Sequence, residues 1–192
     1  MEKTWVRVQF KQYILHLYQD VPTEVYEGIL SLFCIGGVVG FVIFGWSRGW
    51  RKVVGLLLAE YVFLIYCSTI IYRGVSEEIG YNYNLFWSYV AIQDGRNDLI
   101  PVNIMNVVVF VPVGLLLALL LLNKQKTIKV GLLTILFGFL LSASIEVLQY
   151  FLNRGFSELD DVFHNTIGCL IGFIIVAIFK GIWLLQKRYW MS

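Results

Sequence analysis

Five runs of apolar residues, at about 25–46, 52–72, 101–122, 128–152 and 161–185, take up most of this 192-residue chain. Each is close to the roughly 20 residues that an α-helix needs to cross the hydrocarbon core of a bilayer. Backbone amides have no water to bond there, so a run of this length that enters lipid must satisfy its own N–H and C=O groups as a helix. The expectation is an all-α polytopic membrane protein with about five transmembrane helices. The composition agrees: 58% hydrophobic residues, 15% charged residues and a mean hydropathy of +0.73 depart strongly from soluble domains.

The first 20 residues lack the continuous apolar stretch of a cleavable signal, because Lys3, Arg7, Lys11 and Asp20 interrupt them. Val6, Phe10, Tyr13 or Ile14, and Leu17 recur at helical spacing while the three cations repeat every four residues. This pattern predicts an amphipathic helix in the membrane interface, ended by Pro22; the alternative is a frayed tail. The expected organisation is an interfacial segment over 1–24, two transmembrane helices over 25–72, a membrane domain of three helices over 73–185, and a short tail over 186–192. Cys34, Cys67 and Cys169 all fall inside apolar spans without CxxC spacing, which suits small buried hydrophobes and neither a disulfide framework nor a metal site. A net charge of +2 with scattered basic residues points away from nucleic acid. No cofactor is expected. Arg48, Arg51, Lys52, Lys124, Lys126, Lys129, Lys187 and Arg188, with Lys180 snorkelling toward them, outnumber Lys3, Arg7, Lys11, Arg73, Arg96 and Arg154 on the other side. The basic excess predicts an outside N-terminus and a cytoplasmic C-terminus in a multi-pass plasma-membrane protein.

Ionisable groups beside apolar helices are costly and concentrate where function lies. Such a group occurs here: Glu146, Gln149, Asn153, Arg154, Glu158, Asp160, Asp161, His164 and Asn165. Ser142, Glu146, Gln149 and Asn153 share one stripe of the fourth span; Asp161, Asn165, Gly168 and Gly172 share one of the fifth, its polar mouth passing into a glycine groove. Asn103 and Asn106 open the third span, ahead of Phe110, Pro112 and Gly114. The three stripes reach the same membrane face and satisfy each other by turning inward. Arg154 is expected beside Glu146 or Asp161, and Pro112 is expected to free the carbonyl of Val108. Each amide also has a plain reading as a cap or as packing glue, and either Asp160 or Asp161 suits the start of the fifth helix. Glu60, deep in the second span, reads as a neutral hydrogen-bonded carboxyl or as a functional group. Tyr81, Tyr83, Phe86, Trp87 and Tyr89 read as an interfacial aromatic belt.

The ordered set Asn103, Asn106, Phe110, Pro112, Gly114, Glu146, Gln149, Arg154, Asp160, Asp161, Asn165, Thr166, Gly168 and Gly172 resembles the VanZ-like family of bacterial membrane proteins, over about residues 81–173. It departs from the family's loop at Trp87, where a proline is usual. The resemblance implies a cell-envelope protein of mostly Gram-positive bacteria, related to one associated with low-level resistance to the glycopeptide antibiotic teicoplanin.

Three functional classes follow. In the first, the polar pocket binds a membrane lipid or lipid-linked cell-wall precursor through an anionic head group, using Asn103, Asn106, Glu146, Gln149, Arg154, Asp160, Asp161 and Asn165, with Pro112, Gly114, Gly168 and Gly172 shaping the helices. In the second, the protein is an intramembrane hydrolase or transferase with Glu146 or Asp161 as base and His164 as acid, or with carboxylates around a divalent cation. The third is a small lipid or drug transporter with Glu60 as a proton-coupling group; five spans would then call for a homo-oligomer.

Overall fold

The computed structural model describes residues 49–75, 80–122 and 126–190. Four of the expected spans lie within them, as helices long and apolar enough to cross a membrane: Trp50–Ile71, Leu99–Leu121, Thr127–Leu152 and Leu159–Ile182. The span expected at 25–46, the interfacial segment at 1–24 and Cys34 lie outside the described residues.

The described elements run α1 (Trp50–Tyr66), β1 (Gly80–Asn82), α2 (Trp87–Gln93), α3 (Leu99–Leu121), α4 (Thr127–Leu152), β2 (Phe156–Glu158) and α5 (Leu159–Trp190). Among the described residues the regular elements are helices except for β1 and β2, which pair in parallel with Gly80 opposite Phe156 and Asn82 opposite Glu158. Neither strand shows a usable pattern in the sequence, since each is three residues long. Helix α2 was expected only as part of an aromatic belt.

Helix α1 does not stop at Tyr66 but widens into a π-turn over Cys67–Ile71, closed by the Tyr72 amide on the Cys67 carbonyl. The sequence supplies a cause. Ser68 and Thr69 both turn their hydroxyls back onto the Ile65 carbonyl, at 3.0 and 2.7 Å, and such back-bonding competes with the regular ladder. At the other end of the bundle, α4 ends on Asn153 in the left-handed region, where the Arg154 amide returns to the Gln149 carbonyl at 2.9 Å. Asparagine tolerates that conformation better than most side chains. Two residues later Gly155 has φ 140, a conformation that favours glycine.

Lipid gives no hydrophobic drive to helix pairing, so close backbone approach decides which helices meet. A side chain at Gly114 would strike the Cys169 carbonyl, one at Gly168 the Val107 carbonyl, and one at Gly172 the Val111 carbonyl. Helices α3 and α5 therefore touch backbone to backbone, and the glycine groove expected on α5 is filled by α3. Phe110, Val113, Ile145 and Cys169 are buried around this contact. Pro112 sits inside α3. Close to it, the Tyr61 hydroxyl of α1 donates to the Val109 carbonyl at 3.0 Å, a tie between helices at the turn that the proline weakens.

Candidate functional site

The polar stripes meet at one end of the bundle. Buried Glu146 of α4 accepts the Glu158 backbone amide at 2.8 Å, which fixes the end of the short 153–158 connection. Asn106 of α3 donates to Asp161 of α5 at 2.6 Å, and Asn165 donates to Ser142 of α4 at 2.8 Å. Gln149 donates to the Thr69 carbonyl at 3.2 Å, at the π-turn. Five of the expected site residues are thus joined across α1, α3, α4 and α5.

Asp160 has a different task. Fully buried, it accepts from the Phe86 amide, the Ser88 amide at 3.0 Å and the Ser88 hydroxyl, while Asn103 donates to that same hydroxyl at 3.0 Å. A carboxylate on α5 therefore caps the first turn of α2, 74 residues earlier in the chain. It also holds Phe86 at φ 68, uncommon for a bulky residue, with the ring edge-on to Phe163. Trp87 follows at the first position of α2, where a proline fits because no intrahelical acceptor exists for its N–H. Here its indole instead donates to Glu158 at 3.2 Å. Burial pushes the Glu158 carboxyl above the usual range; the Trp87 bond opposes this, nearby Asp160 adds to it, and Arg73 and Arg96 oppose it.

Two expectations need correction. Among the described residues Arg154 does not meet a carboxylate: its guanidinium donates to the carbonyls of Ile71, at 3.2 Å, and Arg73. The physical reason is the π-turn, which ends α1 with carbonyls lacking helical partners, and a guanidinium carries five donors to satisfy them. The cation that faces the carboxylates is Arg73, which acts electrostatically on Glu146, Glu158 and Asp161. It lies across Gly155, where an added Cβ would come within 2.6 Å of its Cζ. Among the described residues it has no ion-pair partner, the single salt bridge being Arg96 to Asp98. The second correction concerns His164. Its Nε2 is 2.8 Å from the Tyr89 hydroxyl and its charged neighbour is Asp160, so it is not brought to Glu146 or Asp161 as an acid partner. Tyr89 and Trp87 are consequently parts of the site's frame and more than a belt.

Sequence reasoning missed Arg73 because it lies at the end of an apolar helix, far from the polar motif. One signal was available: an arginine two residues beyond the Thr69–Ile71 stretch, with a glycine beside Arg154 able to receive it. Glu60 lies on α1 with Oε2 buried and without a hydrogen-bond partner among the described residues. Among those residues no three His, Cys, Asp or Glu side chains converge as metal ligands.

In comparisons with known proteins, no curated protein and no solved structure matches the chain. The family model described as VanZ/LLP1 matches residues 32–180, a longer stretch than the motif residues suggest and most of the 192-residue chain. The chain belongs to the VanZ/LLP1 family of membrane proteins.

Proposed function

We infer that the protein binds the head group of a membrane-anchored ligand, a phospholipid or a lipid-linked cell-wall precursor, at the mouth formed by Arg73, Glu158, Asp161 and Asn106. The observation that carries this reading is the Arg73 guanidinium, exposed and unpaired among the described residues, lying over Gly155 beside three carboxylates. A guanidinium at a membrane face suits a phosphate or carboxylate, which it takes in bidentate fashion. Carboxylates alone would repel such a group. The ligand therefore carries hydrogen-bond donors next to its anionic part, hydroxyl or ammonium groups that Glu158 and Asp161 accept. Arg154 supports the site from below by holding the carbonyl of Arg73 itself. By sequestering such a component the protein lowers susceptibility to teicoplanin.

The test compares variants of the full chain at matched membrane levels in cells challenged with teicoplanin. Arg73→Ala is expected to abolish the protection, and Asp161→Asn to keep part of it, because the amide still accepts a hydrogen bond. Protection untouched in Arg73→Ala but lost in Asp161→Asn would contradict binding and favour an enzyme using Asp161 as base.

The basic excess at the far end puts the site outside, with a cytoplasmic C-terminus. Ser157 is buried and unsuited to labelling. Asn97, in the exposed loop before α3, and Lys126, before α4, are suitable. In intact cells an impermeant thiol reagent should modify Asn97→Cys and spare Lys126→Cys; the opposite pattern moves the site to the cytoplasm.

A further inference from the structure

On the α2 side of α3 lies a cleft of about 350 Å³, within the roughly 300–1,000 Å³ of clefts that hold small ligands. Its wall is Ile100, Ile104 and Val108 of α3, one stripe at helical spacing. Eight residues separate the ends of that stripe, so the cleft follows the helix for about 12 Å. Polarity changes along it. The end toward the polar face holds Asn103, the Tyr89 hydroxyl and buried His164, and the deeper end is aliphatic. Ile104 and Val108 are 47% and 52% exposed on a membrane-spanning helix, so the cleft opens laterally to lipid. A channel running along a membrane-spanning helix, aliphatic toward the helix middle and polar toward its end, has the profile of an amphiphile lying in one leaflet.

We propose that this cleft seats one hydrocarbon chain of a lipid, with the lipid's ester or hydroxyl oxygens against Asn103 and the Tyr89–His164 pair. Asn103 also bonds Ser88, which bonds Asp160, next in sequence to Asp161. The chain seat thus adjoins the head-group site and extends that reading, naming the ligand as a diacyl or prenyl lipid that enters sideways from the bilayer.

The full-length protein, in vesicles of phosphatidylglycerol and phosphatidylethanolamine, is irradiated with phosphatidylglycerol bearing a mid-chain diazirine, and the labelled peptides are mapped. Label is expected to concentrate on residues 100–108, above the level on the equally lipid-exposed Leu136 and Phe139 of α4. Ile104→Trp and Val108→Trp, which fill the cleft from its lipid side, should each lower that label to the level on Leu136 and Phe139, because the indole takes the space the hydrocarbon chain would occupy. Equal labelling of α3 and α4, or no response to either tryptophan, overturns the seat. So does a crosslinked dimer through α3, which would make the occupant a second copy. Arg73→Gln should lower label from the phosphatidylglycerol probe but leave label from a diacylglycerol bearing the same diazirine, which has no phosphate, in place on residues 100–108, so failure of the seat and failure of the head-group reading give different results.

Discussion

Gly168→Val should prevent the protein from assembling its native bundle, with loss of the monodisperse detergent-solubilised form and degradation in the membrane. The side chain would enter the space held by the Val107 carbonyl and the Cβ of Phe110. Neither can move independently, because both belong to a helix whose neighbouring turns are locked against Gly172 and, through Gly114, against Cys169. Overpacking a tight core costs about 1–3 kcal/mol even when side chains can adjust, and here the obstacle is backbone. Separating α3 from α5 would also pull Asn106 from Asp161, leaving polar groups unsatisfied in lipid at about 1–3 kcal/mol each. Gly55 and Gly181 are the contrast, since an added Cβ at either meets nothing within 4 Å. Gly55→Ala should be neutral or slightly stabilising, by about 0.5–1 kcal/mol at most. Thermal unfolding followed by size-exclusion chromatography separates these outcomes; a Gly168→Val protein as stable as the parent would refute the backbone contact.

Much of this was legible in the chain. The four described spans follow from hydrophobic length, and a close helix approach along α5 from Gly168 and Gly172 in a context where small residues govern approach; that α3 makes it is visible only in the fold. The inward convergence of Asn106, Glu146, Gln149, Asp161 and Asn165 follows from helical spacing together with the cost of amides in lipid. What stayed hidden depends on contacts between segments distant in sequence. Asp160 looks like the cap of its own helix, yet it caps α2, because the Asp160 carboxylate and the Phe86–Ser88 amides meet only after α3 and α5 have packed. Arg154 looks like the pocket's cation because it sits in the motif. Only the π-turn, a product of Ser68 and Thr69 on a different helix, explains why it is drawn to carbonyls and why Arg73 takes the place beside the carboxylates.

The central claim is that Arg73 reads the ligand's anionic group while Arg154 positions it. The most direct measurement is exchange of phosphatidylglycerol, against phosphatidylcholine, on the purified full-length protein, read by native mass spectrometry. Phosphatidylglycerol offers a phosphate with hydroxyl donors beside it; phosphatidylcholine offers no donor. The parent protein should retain phosphatidylglycerol preferentially. Arg73→Gln should lower phosphatidylglycerol retention about tenfold or more, the scale of a charge-assisted hydrogen-bond pair, while the preference over phosphatidylcholine, which carries the same phosphate, rests on Glu158 and Asp161. Arg154→Gln should reduce retention by less, because Arg73 keeps its charge but loses the tie on its carbonyl. Full retention in Arg73→Gln, with retention lost in Arg154→Gln, would contradict the assignment and return the reading of the ligand to Arg154.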